Sequence, residues 1–128
     1  MRGTIRTMLM LCAASGVVRA PAETLRVLPD GTGDFATIQE AIDAADSLDV
    51  VELTNGLFTG PGNRNLDFGG RAITLRSRSG DPELCIIDCQ GPGTSPDDPR
   101  RGFLFRSGEG PGSVVQGITV TNGISGGP

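Results

Sequence analysis

The run Val27-Leu28-Pro29-Asp30-Gly31-Thr32-Gly33-Asp34-Phe35-Ala36-Thr37-Ile38-Gln39-Glu40-Ala41-Ile42-Asp43-Ala44-Ala45 carries the first strong structural signal in the chain. Within it, Thr37-Ile38-Gln39-Glu40 has the form of a capping box. The Thr37 hydroxyl is expected to accept from the Glu40 amide, and the Glu40 carboxylate to reach back to the Thr37 N–H. A helix should therefore run from Ile38 to Ala45. Ile38, Ala41, Ile42 and Ala45 share one helical face, Phe35 stands upstream to pack beside it, and Asp43, Asp46 and Asp49 should face solvent. So short a helix is not stable alone, so it must lie on something apolar.

The flanks of this run outline a nucleotide-binding motif. Leu25 to Leu28 reads as a strand, Gly31-Thr32-Gly33-Asp34-Phe35-Ala36 matches G-x-G-x-x-A, and Glu52 ends the next strand about 20 residues on. In a dinucleotide fold, however, the helix starts within the glycine turn so that free amides point at the pyrophosphate. Here the capping box delays it to Ile38. Pro29 and Asp30 intervene before the first glycine, Asp34 would set a carboxylate beside the phosphates, and no alternating long helices follow Glu52. The stretch reads instead as a Gly-Thr-Gly turn leading into a capped helix.

Downstream, strands are expected at Val50 to Leu53, Asn65 to Phe68, Ala72 to Arg76, Leu84 to Ile87, Gly102 to Arg106, Ser113 to Val115 and Gly117 to Thr121. Turn clusters separate them, among them Asn55-Gly56, Gly60-Pro61-Gly62, Gly69-Gly70, Gly80-Asp81-Pro82 and Gly108-Glu109-Gly110-Pro111-Gly112. Val50, Ile73 and, at close to twice that separation again, Ile118 hint at a repeat of about 22 or 23 residues, within the range of solenoid coils. An exposed insertion is expected at Gly91 to Arg101. Cys85 and Cys89 are ~13 Å apart on a straight strand, beyond the ~7 Å limit for a disulfide. They read as small apolar side chains in or beside a buried strand, and a bridge would need a sharp bend between them.

The composition fits a turn-rich chain with an aliphatic core: 20 Gly, 9 Pro, 4% aromatic residues, and neither Trp nor Tyr. All 11 basic residues are Arg, against 15 acidic ones, and the net charge of -4 supplies no field for nucleic acid. The absence of His and Lys excludes a Ser-His-Asp triad, a His-ligated zinc site, a Schiff-base lysine and a P-loop. At the front, Arg2 and Arg6 precede an uncharged stretch from Thr7 to Val18, and Ala20-Pro21-Ala22 offers small residues for signal peptidase. Residues 1–22 therefore read as a secretory signal peptide, with Glu23 as the mature N-terminus. The apolar stretch is short of the ~20 residues that span a bilayer, so no membrane span is expected after cleavage. Leu9-Met10-Leu11 lacks the small residue expected ahead of a lipidated Cys12, which favours soluble export.

The quoted run resembles the opening of secreted right-handed parallel β-helix proteins of the pectin lyase-like superfamily. Ala72-Ile73-Thr74-Leu75-Arg76-Ser77, Cys85-Ile86-Ile87-Asp88 and Gly117-Ile118-Thr119-Val120-Thr121-Asn122-Gly123 resemble coils of its bacterial members. The resemblance implies an all-β solenoid, a right-handed parallel β-helix whose N-terminal end is covered by one capping α-helix. Residues 23–48 would form the N-terminal strand and helix, and residues 49–128 the first coils, with further coils of the same protein beyond Pro128. Ile73, Leu75, Ile118 and Val120 would point inward, Thr74, Arg76, Arg78, Thr119 and Thr121 outward, and Asn122 would stack inward at a turn on similar residues of adjacent coils.

The superfamily includes lyases, hydrolases, esterases and non-enzymatic surface proteins, so the resemblance is specific for fold and weak for activity. Arg76 and Arg78 are the candidate substrate-binding residues, for an acidic extracellular polysaccharide or, in a lyase, as a base; the bland alternative is a solvated strand face. No catalytic residue is assigned and no metal site is expected. Ca²⁺ enters through the resemblance alone, because Asp81, Glu83 and Asp88 have no spacing that gathers six ligands. Three functions stay open for a secreted or cell-surface protein: a glycan-associated β-helix without turnover in this chain, a polysaccharide lyase or pectinesterase-like enzyme with catalytic residues beyond position 128, and a structural part of an adhesin.

Overall fold

The computed structural model describes residues 21–92 and 97–124, so nearly all of the expected signal segment lies outside the described residues. The order is β1 (Thr24–Val27), α1 (Ile38–Ala44), β2 (Val50–Leu53), β3 (Gly56–Phe58), β4 (Leu66–Asp67), β5 (Thr74–Ser77), β6 (Cys85–Asp88), β7 (Phe103–Leu104), β8 (Val114–Gln116) and β9 (Thr119–Thr121). The strands form three sheets in which every pair is parallel: a first sheet β1-β2-β5-β8, a second β3-β6-β9 and a third β4-β7. From β2 onward the chain visits the sheets in the same sequence on each pass, and there is no closed barrel.

Register builds the core from columns. In the first sheet Leu25, Val51, Leu75 and Val115 align, and in the second Phe58, Ile87 and Val120 align. Strand alternation sends these side chains to one face. Leu25, Val51, Leu75, Phe58 and Ile87 are buried, whereas Val115 is 36% and Val120 41% exposed. The last two occupy the same inward positions as their buried neighbours, but no further strand among the described residues covers them. In the third sheet Leu66 aligns with Phe103, and buried Phe68 meets Phe103 and exposed Phe105 edge-on at 6.3 and 5.4 Å.

At the other end the layers are closed. Helix α1 packs on β1, β2 and β4 and buries Ile38, Ala41 and Ile42. Its first-turn amides all find acceptors: Ile38 N–H on Asn63 Oδ1 at 2.9 Å, Gln39 N–H on the Gly62 carbonyl at 2.8 Å, and Glu40 N–H on Thr37 Oγ1 at 3.2 Å. The Glu40 carboxylate reaches back one residue further than the capping box anticipates, accepting from Ala36 N–H at 3.1 Å. Arg71 donates to the Asp43 and Ala45 carbonyls at the helix C-terminus. The outer edge of β1 is covered by residues 33–35. Asp34 N–H donates to the Arg26 carbonyl, Arg26 N–H to Asp34 Oδ2, and Val27 bridges Phe35. A Cβ on Gly33 would stand 2.7 Å from the Arg26 carbonyl oxygen. The second glycine of the nucleotide-like outline thus serves close approach to β1.

Several expectations need correction. Asp49 is 3% exposed and not solvent-facing, since its carboxylate accepts from Glu23 N–H and Asp46 N–H at 2.9 Å each. Strand β3 falls where Asn55-Gly56 reads as a turn. Gly56 opens the strand at φ 140, a backbone conformation that residues with a side chain rarely adopt, and a Cβ there would meet the Pro29 ring at 2.5 Å. Thr74 pairs with Val50, 24 residues away like Glu52 from Arg76, and with Val114; residues 119–121 belong to the second sheet. Paired positions in the first sheet are therefore further apart in sequence than the spacing of Val50 and Ile73 suggests, and unevenly so. Asn122 has φ 54 at a turn, as expected, but is exposed and donates to Asp88 Oδ1 at 2.9 Å, stacking on no asparagine.

Replacing Leu75 by Ala is expected to cost ~3 kcal/mol, the usual cost of a buried Leu truncation. Val115→Ala, in the same column but half open to water, should cost less than ~1 kcal/mol. Urea unfolding of the two variants checks the difference, and equal losses would contradict the open last layer.

Candidate functional site

The outward face of the first sheet carries a polar column in register: Arg26, Glu52, Arg76 and Gln116. Glu52 is 7% exposed, and its two carboxylate oxygens are shared, Oε1 with Arg26 Nε at 3.3 Å and Oε2 with Arg76 Nη2 at 3.2 Å. One carboxylate between two guanidinium groups leaves the column with a surplus of positive charge in a chain of net charge -4. Both arginines remain substantially exposed, with side chains 53% and 40% accessible.

Arg78 lies one residue beyond the end of β5, on the corner leading toward the second sheet. Its backbone N–H still follows the ladder, donating to the Leu53 carbonyl at 2.8 Å. Its guanidinium has no ion-pair or hydrogen-bond partner among the described residues. It lines an open cleft of about 410 Å³ with Thr54, Asn55 and Ser79. The cleft thus offers a free guanidinium fork beside two hydroxyls and an amide, a donor-rich set suited to a carboxylate or another flat anion. The two sequence-predicted residues are brought to neighbouring positions with different states: Arg76 is half neutralised by Glu52, and Arg78 is not.

Thr54, Asn55 and Ser79 were not legible as site residues, and Glu52 enters the sequence reading only as the acid of a discarded nucleotide motif. Their signal is register. Once Val50 is aligned with Thr74, Glu52 falls on Arg76 and the corner residues after Leu53 fall on those after Ser77.

A second polar cluster holds the loop that follows β6. Arg64, 6% exposed, donates through Nε to Asp98 Oδ1 at 3.1 Å, through Nη2 to Asp98 Oδ2, and through Nη1 to Gln90 Oε1 at 3.1 Å. Asn65 Nδ2 adds a bond to Asp98 Oδ1 at 2.8 Å. These contacts hold the Asp98 carboxyl down at about 2, the Arg64 hydrogen bond being the largest cause. Arg100 adds an ion pair from Nε to Asp98 Oδ2 at 3.1 Å, although that Nε makes no hydrogen bond among the described residues, and its Nη1 donates to the Gln90 carbonyl, so the cluster is an anchor for the loop.

Cys85 and Cys89 are free and buried, as the strand spacing implies. Burial pushes the Cys85 thiol up to about 11 and raises Cys89, the latter with help from Asp88, so neither is a nucleophile at neutral pH. Asp81 accepts from Glu83 N–H, and Asp88 from Gln90 N–H and Asn122. Among the described residues no three acidic, Cys or His side chains gather as a metal site would require. No helix among them is long and apolar enough to cross a membrane. Comparison of the chain with protein-family models, with curated proteins and with solved structures gives no match.

The Asp98 anchor gives a pH prediction. Its folded pKa lies below the ~3.9 of an unfolded aspartate, so its stabilising contribution is present above ~pH 4 and is lost as the pH falls toward ~2. Over that window residues 97–101 should become sensitive to an acid-active protease. Asp98→Asn should be sensitive already at neutral pH and show no further change on acidification.

Proposed function

We propose that the chain is the front part of an exported right-handed parallel β-helix, of the pectin lyase-like kind, that associates with acidic extracellular glycan and has no turnover of its own. The observation that carries the binding reading is the free Arg78 guanidinium in a donor-rich cleft, next to a column in which two arginines share one glutamate. The fold reading is supported by the parallel pairing of every strand, the repeated visiting order of the three sheets and the helix over one end. At the other end Val115, Val120 and Phe105 stand at inward positions, a surface suited to one more layer of the same type.

Export fits the geometry at Glu23. Pro21 and Ala22 are exposed, and Glu23 N–H already donates to Asp49. Cleavage after Ala22 would turn that N–H into an ammonium facing a buried carboxylate, which strengthens the contact. Against turnover stands the state of the cysteines, whose thiols are buried and raised above their ordinary value.

Affinity electrophoresis of the full chain tests the reading, in gels containing polygalacturonate, methyl-esterified pectin or neutral dextran. Retardation by polygalacturonate alone is expected. Arg78→Ala should weaken it about tenfold, as loss of a hydrogen bond to a charged group would, and Arg76→Ala should weaken it less. Absence of retardation in every gel would overturn glycan association. Release of unsaturated product or methanol, abolished by Arg78→Ala, would replace the binding reading with an enzymatic one.

A further inference from the structure

The chain contains four asparagines, two of them followed by glycine: Asn55-Gly56 and Asn122-Gly123. Asparagine before glycine is prone to a specific reaction, because the unhindered glycine nitrogen reaches the side-chain carbonyl carbon of the residue before it. The glycine N–H loses its proton and the nitrogen bonds to Cγ. The Cγ–Nδ2 bond then breaks, ammonia carries the proton away, and a cyclic imide remains. Water opens the imide at either carbonyl, leaving aspartate or isoaspartate. No oxidant or cofactor is needed.

The two dipeptides differ where the reaction begins. Gly56 N–H donates to the Leu84 carbonyl at 2.8 Å and stands inside β3, paired in register with Cys85. Its proton and its position are both held by the sheet. Gly123 lies past the end of β9, and its N–H has no hydrogen-bond partner among the described residues. Asn122 is exposed and at positive φ. The other two asparagines are followed by bulky residues and are bonded through both ends of the amide: Asn63 to Ile38 N–H and the Thr59 carbonyl, Asn65 to Arg101 N–H and Asp98.

We propose that Asn122 is a deamidation site of the folded protein, that Asn55 is protected by the hydrogen bond of Gly56, and that modification at position 122 loosens the last layer. The loosening follows from the partner. Asn122 Nδ2 donates to Asp88 Oδ1 at 2.9 Å, and Asp88 accepts from Gln90 N–H as well. Deamidation replaces that donor with a second carboxylate, so a hydrogen bond becomes a contact of like charges. The same turn holds two backbone bonds of the second sheet, Cys89 N–H to the Thr121 carbonyl at 2.9 Å and Gly91 N–H to the Asn122 carbonyl at 3.0 Å. Buried Cys89 lies directly behind it; a Cβ on Gly123 would be 3.8 Å from the Cys89 sulfur.

Peptide mapping that separates aspartate and isoaspartate tests the proposal on the full chain, aged at mildly alkaline pH with and without denaturant. In the folded sample Asn122 should convert about tenfold faster than Asn55, the ratio that one backbone hydrogen bond imposes. In denaturant the two should convert at similar rates, since the dipeptide is the same. Equal rates in the folded sample, or faster conversion of Asn55, would overturn the assignment. For the consequence, Asn122→Asp should raise alkylation of Cys89 severalfold while leaving Cys85, on the far end of β6, unchanged. Unaltered labelling of Cys89 would overturn the loosening.

Discussion

A parallel strand cannot return to its neighbour through a tight turn, and the rest of this structure follows from that constraint. From β2 onward each strand is reached by a pass through the other sheets, so its backbone groups are satisfied chiefly by the strands paired on either side of it. Layers in the middle have both. Glu52 and its neighbours in β2 are bonded to β1 on one side and β5 on the other, and their inward side chains are fully covered. Among the described residues the first and last layers have only one neighbour, and they are finished differently. Residues 33–35 and α1 close the first, whereas β7, β8 and β9 carry no charged residue and leave Val115, Val120 and Phe105 in contact with water. Sheet edges left bare in this way are prone to pairing.

The same stacking creates the polar surface. Because register is preserved from layer to layer, residues far apart in sequence form straight outward columns, and Arg26, Glu52 and Arg76 become one electrostatic unit. Glu52 is the residue on which that unit depends. Without it, two guanidinium groups would stand on either side of β2 with no charge between them; with it, one carboxylate is shared by both. Arg78 escapes this arrangement only because β5 ends at Ser77, and the corner turns its side chain toward Thr54, Asn55 and Ser79.

Much of the architecture was legible in the chain before the structure, and the failures have specific causes. The helix came through because its signals are local: a capping threonine, apolar residues at helical spacing and an acidic first turn. Most strands came through from short apolar or alternating runs. Strand β3 did not, since Gly56 is there for close approach to Pro29 and not for a turn. Asp49 was misplaced because carboxylates read as surface residues by type, whereas this one gathers two backbone amides, one from Asp46 in its own turn and one from Glu23, 26 residues away. The candidate cleft was half legible. Arg76 and Arg78 stand out as cations near one another, but the difference between them rests on Glu52, and that contact depends on a register that irregular layer lengths conceal.

Three amides occupy equivalent rungs of the first sheet: Val50 N–H on the Glu23 carbonyl at 2.8 Å, Thr74 N–H on Asp49 at 3.1 Å, and Val114 N–H on Ile73 at 3.0 Å. Native-state hydrogen exchange at these three positions is the most direct test of stacked parallel layers closed at one end and open at the other. Strong protection of Val50 and Thr74 with weak protection of Val114 is the expected result. An unprotected Thr74, or protection that is equal at all three, would contradict the account.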